Sequence, residues 1–329
     1  MDLPKGIFEQ LGIVEIPKIE NPIPNIGWLF YKNYYQNVDF SKFPDISKHD
    51  NNNDKKFWTD KNQEITRQKQ AGKKYDFIPP KDNSFSLKTT YPGLTLGTGT
   101  LHSIGSKGEI KIGFFFDFTT GLPTIPGSTV KGLIRSAFPQ FLGKGKDIRI
   151  DLPENFIPNP LQRAKAFYIY TMWKTPNRDF ETEPLLQEEL DDTGDRIWKI
   201  VHKLELALFE GVNVLATFNH KTRLVQYLSI YKRDIFHDAV ILNPNNKKEI
   251  LKEDAITPHD GKLKNPIPLA FIKIAPEIDI CFQFELKSQS ETNDIFFITP
   301  AEKLELFKKI LKHSGIGAKT NVGYGQFKT

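Results

Sequence analysis

The sequence predicts an α+β fold, in which strands alternate with single helices along the chain. Residues 278–286 alternate apolar and polar side chains, which is the pattern of a strand with one face on a core. Residues 128–138 place apolar side chains at the three- and four-residue spacing of a helix. Residues 300–313 carry the start and stop signals of a second helix.

The first ninety residues divide into two stretches of different composition. Residues 25–35, NIGWLFYKNYY, predict an aromatic helix packed on the core. Residues 41–90 hold 11 Lys and Arg against 7 Asp and Glu, which accounts for +4 of the chain's net charge of +5. With their Asn and Pro clusters, they predict a solvated basic loop inserted into the fold. A basic arm lying on nucleic acid is the alternative interpretation.

The middle of the chain predicts a hairpin, a helix and a large insertion. The hairpin covers residues 93–118, with a Gly-Ser-Lys-Gly turn between its strands. The helix at 128–138 follows and stops before Pro139. Residues 145–235 predict a mostly helical insertion, because residues 185–209 carry apolar side chains on one helical face.

The C-terminal third returns to strands and ends on a well-marked helix. Strands are expected at 238–242, 269–274, 278–286 and 322–328. Thr299 and Glu302 predict a capping box, with Pro300 at the first helical position. Gly315 is the expected C-cap.

Composition excludes several classes of protein. Of 329 residues, 39% are hydrophobic and 26 are Phe, which is incompatible with disorder throughout. The one cysteine, Cys281, excludes an internal disulfide framework and Cys-based zinc clusters, so a reducing, cytoplasmic setting is expected. No apolar run approaches the roughly 18 residues of a membrane helix, and the N-terminus lacks a secretory signal pattern. The positive charge suits an anionic partner without requiring one.

Residues 123–135, PTIPGSTVKGLIR, form the first motif with functional content. Ser128 is the expected N-cap, and Gly127 allows a sharp turn before it. Lys131 falls in the first turn, where a cation opposes the helix dipole unless a phosphate binds there. Gly132 removes a side chain from the helix surface, and Arg135 shares a face with Lys131, opposite the apolar stripe. Two interpretations stay open, a phosphate cradle for nucleic acid and a capped surface helix with two solvated cations.

Residues 315–327, GIGAKTNVGYGQF, form the second motif. Four glycines within eleven residues indicate a loop that can present backbone N–H groups to anions. The phosphate loop of nucleotide-triphosphate enzymes is excluded, because Ala318 and His313 stand where that pattern requires glycine. The expected order of helix, loop and strand is also the reverse of that pattern.

The sequence contains only weak patterns of the residues that form enzyme active sites. His237-Asp238 resembles a phosphohydrolase metal dyad, but it precedes a strand and lacks further ligands, so no metal site is expected. Asp254 and His259 predict a hydrogen-bonded turn, with acid–base chemistry as the alternative. His102 is a conceivable general base for RNA cleavage. Neither a nucleophile elbow nor a zinc-type spacing is present.

The two motifs together resemble a known family. Residues 126–135 are similar to the Pro-Gly-Ser-Ser-x-Lys-Gly-x-x-Arg element of the RAMP superfamily, the RNA-binding proteins of CRISPR systems. Residues 315–327 resemble its glycine-rich loop, in a form similar to that of the sixth subunits of the Cmr complex, the type III-B effector. Three further stretches agree with this family and occur in order: 25–35, 254–259 and 265–268.

The resemblance implies a single RAMP domain over 1–329, with a ferredoxin-like (RRM-like) fold and insertions at 41–90 and 145–235. It implies a non-catalytic backbone subunit that binds the distal part of the guide RNA and helps to position target RNA in antiviral defence. The repeated backbone subunit and the terminal subunit of the Cmr complex would be its neighbours. No cofactor, metal or membrane is implied.

Carried over to this sequence, the family motifs name a set of expected RNA contacts. Tyr324 would be a stacking ring, and the two motifs would lie side by side on the sheet. Residues 243–266 would form a thumb that separates guide–target base pairs. An alternative is a metal-independent endoribonuclease that processes guide precursors with His102 or His259 as base. The expected RNA-binding residues are Gly127, Ser128, Thr129, Lys131, Gly132, Arg135, Gly317, Lys319, Thr320 and Tyr324.

Overall fold

Helices and strands alternate in the computed structural model, which confirms the mixed helix and sheet class. The structure describes residues 25–36, 38, 52–67, 82–97, 99, 109–110, 113–140, 157–174, 190–218, 222–242, 249–256, 269–288 and 298–328.

Six helices and ten strands are described. The helices are α1 (Ile26–Tyr31), α2 (Asn52–Thr66), α3 (Gly127–Ser136), α4 (Pro160–Lys174), α5 (Leu190–Glu205) and α6 (Pro300–Ser314). The strands are β1 (Ser84–Thr89), β2 (Thr124–Ile125), β3 (Val212–Phe218), β4 (Thr222–Tyr227), β5 (Ile235–Phe236), β6 (Ala239–Ile241), β7 (Leu251–Ile256), β8 (Leu269–Ile274), β9 (Asp279–Glu285) and β10 (Phe327–Lys328). A π-helical segment, Leu206–Glu210, continues α5.

The central sheet has the strand order β10-β1-β9-β6-β2, and β5 pairs with the far part of β9. Each of these pairs is antiparallel. β9 confirms the strand that alternation predicted, and its Ile280, Phe282 and Phe284 are buried. Phe307 of α6 packs against Phe284 and Phe236, with ring centroids 5.3 and 5.4 Å apart. α3 contacts both α6 and β5, so these two helices cover the same face of the sheet.

The predicted helix ends of α6 are confirmed. Thr299 Oγ1 accepts from the Glu302 N–H at 3.2 Å, and the Thr299 N–H donates to the Glu302 carboxylate at 2.7 Å. Gly315 caps the C-terminus with φ 65°. The final strand is shorter than predicted, because a 3-10 turn at Thr320–Val322 leaves only β10 as strand.

The prediction of a solvated loop at 41–90 is wrong for its described parts. α2 lies within this stretch and buries Trp58 and Ile65. Asn62 of α2 also accepts from the Tyr34 hydroxyl at 3.0 Å, which ties α2 to the predicted aromatic helix α1 and its following turn. β1, also from this stretch, lies between β10 and β9 in the sheet.

The predicted hairpin at 93–118 is wrong for its described residues, which pair elsewhere. Leu94 bridges to Ile274, Thr95 to Ala318, and Phe116 to Pro123. Positive φ values at Gly93 and Gly97 interrupt the first expected strand. The predicted turn lies outside the described residues.

The insertion at 145–235 is helical in part. α4 and α5 pack against each other, and the predicted helix is confirmed over the described residues from 190 onward. β3 and β4 form an antiparallel hairpin that the sequence patterns did not predict. β7 and β8 form a separate two-stranded sheet.

Candidate nucleic-acid interface

The first motif begins at the N-terminus of α3, where the group that binds the free helix N–H differs from the predicted Ser128 side chain. Pro126 occupies the N-cap position and makes no side-chain cap bond. Instead, the Gly127 N–H donates to Asp238 Oδ1 at 2.7 Å, from the link between β5 and β6. The prediction of Ser128 as N-cap is therefore wrong, and this side chain is exposed. The carboxylate of Asp238 supplies the negative charge that the helix dipole favours.

The two glycines of this motif have opposite surroundings. A Cβ on Gly127 would lie 2.1 Å from the Phe236 carbonyl oxygen, so glycine permits α3 to start in close contact with β5. A Cβ on Gly132 would meet no heavy atom within 4 Å. The helix surface at Gly132 is therefore open, and Ser128, one turn earlier, is exposed beside it.

The two cations of α3 are bound by the insertion. Lys131 Nζ donates to the Phe209 carbonyl at 3.2 Å and lies 5.8 Å from the centroid of the Phe236 ring. Arg135 forms an ion pair with Glu210 and lies 5.9 Å from the Phe209 ring centroid. Of the two interpretations left open by the sequence, the one with two solvated cations is therefore wrong.

The surroundings of Lys131 change the pKa of its ammonium group. Burial lowers the pKa of its ammonium, although the Glu210 carboxylate acts in the opposite direction. The positive charge of Arg135 lowers the same pKa further. A phosphate beside both groups would therefore favour the charged form of Lys131.

The glycine-rich loop uses most of its N–H groups within the chain. The Ala318 N–H donates to the Thr95 carbonyl and the Gly325 N–H to the Gly93 carbonyl, each at 2.8 Å. Further loop N–H groups that donate to main-chain carbonyls belong to Gly315, Ile316, Val322, Gly323 and Tyr324. Within the described part of the chain, the N–H groups of Gly317, Lys319, Thr320 and Asn321 donate to no main-chain carbonyl. The last three are consecutive in the chain, so an anion bound by this backbone can meet them together.

Tyr324, the expected stacking ring, faces the interior. Its side chain is 8% exposed, its hydroxyl donates to Asp254 Oδ2 at 2.7 Å, and its ring packs edge-on against Phe271. Burial and the Asp254 carboxylate raise the pKa of the Tyr324 hydroxyl. This placement argues against stacking of a base on Tyr324.

Asp254 is committed to the same buried cluster. Burial raises its pKa, but the hydrogen bonds from Lys273 and Tyr324 outweigh burial and hold the pKa below its ordinary value. Lys273 also lies 5.5 Å from the centroid of the Tyr324 ring. Asp254 therefore serves as an acceptor within β7 and β8 rather than in the predicted turn.

The structure does not bring the two motifs side by side. β2 leads into α3 at one edge of the central sheet, and the glycine-rich loop leads into β10 at the other. β1, β9 and β6 lie between these edges. Four strand spacings amount to about 19 Å. The expectation that both motifs form one continuous site is therefore wrong.

Comparison with known proteins decides the family. The model of the RAMP superfamily matches residues 86–328. The chain belongs to the RAMP superfamily. It is 23% identical over 215 residues to the CRISPR system Cmr subunit Cmr6 of Pyrococcus furiosus, a match that covers 63% of this chain and 58% of that protein. This RAMP chain therefore spans less than two thirds of the curated relative.

Two solved structures are similar to this RAMP chain. One is the cryo-EM structure of the Type III-B Cmr-beta bound to cognate target RNA, with 18% identity, a TM-score of 0.44, and coverage of 92% of this chain and 84% of that chain. The other is the crystal structure of Cmr6 from Pyrococcus furiosus, with 18% identity, a TM-score of 0.35, and coverage of 74% and 95%.

The remaining candidates from the sequence are placed as follows. His102 and His259 lie outside the described residues. His237 lines a surface pocket and lies 3.4 Å from the Glu285 carboxylate.

The described residues contain no group of three or more His, Cys, Asp or Glu side chains able to hold a metal. None of the helices described is long and apolar enough to cross a bilayer. Of the expected thumb, residues 249–256 are described and include β7.

The sequence motifs do not include an exposed aromatic ring at the β10 edge of the sheet, where the glycine-rich loop lies. Tyr91 follows β1 and is 85% exposed. The Tyr-Pro-Gly signal of residues 91–93 was available, since Pro and Gly mark tight turns. These residues predict a turn at this position, but neither the exposure of Tyr91 nor its neighbours in space follow from that signal.

Proposed function

We propose that this RAMP chain is a non-catalytic RNA-binding subunit of a type III-B CRISPR ribonucleoprotein. It holds the distal part of the guide RNA by the sugar-phosphate backbone and helps to position target RNA. The observation that carries the proposal is the RAMP match over 86–328, which includes both motifs. Similarity to a Cmr subunit supports the choice of complex. Its partners would be the repeated backbone subunit and the terminal subunit, in the cytoplasm.

The fold assignment belongs to the same proposal. β1, α3, β6, β9, α6 and β10 follow one another as strand, helix, strand, strand, helix, strand, the succession of ferredoxin-like folds. The antiparallel order β10-β1-β9-β6 supports this assignment. One domain over 1–329 would then carry the insertion at 145–235 on this frame, whereas the 41–90 stretch supplies the first strand of the frame, β1.

At α3, the open surface around Gly132 is the approach for a phosphate. Ser128 and Thr129 offer hydroxyls on the first turn, and Lys131 and Arg135 supply positive charge beside them. Arg135 already pairs with Glu210, so a phosphate at this surface competes with that carboxylate for the guanidinium.

At the opposite edge, the loop binds a different phosphate. The N–H groups of Lys319, Thr320 and Asn321 and the Lys319 ammonium form this second contact. Because both contacts are to phosphates, base edges stay free to pair with target RNA. The mechanism is therefore independent of guide sequence.

Lys319→Ala tests the proposal directly. Each lost phosphate contact lowers the slope of log affinity against log salt by about 0.7 for single strands. We expect Lys319→Ala to show this loss and to weaken all guide sequences alike, as measured by fluorescence anisotropy on the isolated protein and on the assembled complex. Lys232→Ala, at an exposed lysine of the Ile230–Lys232 turn, is the matched control with an unchanged slope.

Two outcomes would contradict the proposal. A loss confined to particular guide sequences would mean base readout rather than backbone contact. Specific cleavage of precursor RNA in chelator, abolished by His102→Ala, would establish the endoribonuclease alternative instead.

A further inference from the structure

At the β10 edge of the sheet, beside the glycine-rich loop, the exposed aromatic ring is that of Tyr91 rather than that of Tyr324 in the motif. Tyr91 is 85% exposed, whereas Tyr324 is 8% exposed and bound to Asp254. A base can stack only on a ring whose face is accessible to it. Of these two tyrosines, only Tyr91 meets this condition.

The backbone fixes Tyr91 beside the glycine-rich loop. The Thr90 N–H donates to the Gln326 carbonyl at 3.0 Å, and the Gly325 N–H donates to the Gly93 carbonyl at 2.8 Å. A Cβ on Gly323 would lie 3.5 Å from Pro92 Cδ, in ordinary van der Waals contact. The residues on both sides of Tyr91 are therefore bound to the loop, which limits the entropy lost when a ligand orders the ring.

The surroundings of Tyr91 suit a nucleotide better than an apolar protein surface. The described part of the glycine-rich loop adds one exposed large apolar side chain beside Tyr91, that of Val322, which is 68% exposed. Three lysines belong to this edge: Lys88 and Lys328, which face each other across β1 and β10, and Lys319, which starts the 3-10 turn. Lys88 pairs with Asp279 and Lys328 with Glu277, so Lys319 supplies the positive charge that is not paired with a carboxylate of the described residues. The unbonded N–H groups of residues 319–321 lie in the same loop. An aromatic face, positive charge and free N–H donors are the groups that bind single-stranded nucleic acid.

We propose that Tyr91, and not Tyr324, is the ring on which this edge of the protein stacks a base of single-stranded RNA. The proposal rests on the proposed function and adds a base contact to the phosphate contacts. Stacking accepts every base, because each has a π-face, so sequence independence is preserved.

The test compares Tyr91→Ala with wild type on one oligoribonucleotide. Loss of a stacked base weakens binding by about fivefold to a hundredfold or more. We expect a loss in this range for Tyr91→Ala and a change below about twofold for Tyr91→Phe, which keeps the ring. Tyr231→Ala is the matched control, since Tyr231 is 86% exposed and lies on another turn. Because these side chains are exposed, unchanged thermal unfolding curves are expected for all three variants.

An abasic oligoribonucleotide separates stacking from other effects. Its binding to wild type should fall, and Tyr91→Ala should lower it no further, because the same interaction is already absent. If wild type binds RNA but Tyr91→Ala binds equally well, the stacking proposal is overturned and the proposed function stands. If wild type binds no RNA even in the assembled complex, both are overturned. Release of a protein subunit by Tyr91→Ala, with RNA affinity intact, would assign the ring to a protein interface and overturn the proposal.

Discussion

The start of α3 and the glycine-rich loop satisfy their polar groups in opposite ways. In α3, distant segments bind the motif, through Asp238 at the helix start and through Phe209 and Glu210 at its cations. In the loop, main-chain N–H groups bind main-chain carbonyls, both within the loop and at residues 93 and 95, while no carboxylate of the described residues pairs with Lys319. The difference shows that a shared family motif fixes residue types but not whether their charges are free. In this chain, RNA would compete with the insertion at α3 but not at the loop.

Substitution of Glu205 should give the largest change in stability among the tests of the contact between the insertion and α3. It is buried at the end of α5 and accepts from the Gln140 N–H at 3.1 Å, just beyond α3. Burial raises its pKa from 4.5 to about 7. Because the folded protein then binds this proton more tightly than the unfolded chain, stability falls as pH rises from about 4.5 to about 7. The full difference is worth about 3 kcal/mol.

Glu205→Gln should remove this part of the pH dependence. We expect its free energy of unfolding to exceed that of wild type by up to about 3 kcal/mol at pH 8, with the gap closing toward pH 4.5. Urea unfolding at several pH values measures this difference. Glu305→Gln, on the exposed face of α6, should leave the wild-type pH dependence intact. Parallel pH profiles for wild type and Glu205→Gln would show that the carboxyl is not held neutral by burial.

The two glycines of α3 give the next effect in size. Gly127→Ala forces a methyl group against the Phe236 carbonyl and should destabilise the protein by about 1–3 kcal/mol. Gly132→Ala meets open space and should stabilise it by about 1 kcal/mol through helix propensity. Thermal and urea unfolding measure both values. If RNA approaches this surface closely, Gly132→Ala should nevertheless weaken RNA binding. Stabilisation with unchanged RNA affinity would remove Gly132 from the proposed contact.

Glu210 gives the smallest expected effect and the sharpest comparison of the two regions. Glu210→Gln removes the carboxylate that competes for Arg135, so RNA affinity should rise by about fivefold, as expected for a partly exposed ion pair of about 1 kcal/mol. Lys319→Ala should still lower affinity in this background by the same factor as in wild type, because the two regions are far apart. Lower affinity in Glu210→Gln would mean that the ion pair holds α3 in its binding conformation.

Local signals explain what the sequence predicted well. The capping box at Thr299 and Glu302, the spacing of α3 and the alternation in β9 each involve residues close together in the chain. Their structures follow from hydrogen-bond geometry and periodicity alone. α2 was missed because Trp58 and Ile65 are isolated apolar residues in a charged stretch, so the solvated-loop pattern dominated.

The candidate site depends on contacts that local patterns cannot contain. Arg135 and Glu210 are separated by 75 residues, and Tyr324 and Asp254 by 70. The sequence identified the charged and aromatic residue types but not their partners, and therefore not which groups are free. Tyr91 is a similar case, since the turn at residues 91–93 can be predicted from Pro and Gly, while its position beside the loop follows from pairing with distant residues.

The pairing of β1 with β9 joins Ser84 to Gln283 and encloses the whole insertion between them. The entropy of closing such a loop grows only with the logarithm of its length, so a doubling costs only about 0.6 kcal/mol. Lengthening or shortening the segment between α3 and β5 is therefore thermodynamically cheap for the sheet. The insertion, and with it the Glu210 carboxylate that pairs with Arg135, can therefore change in evolution while the central sheet and α3 stay the same.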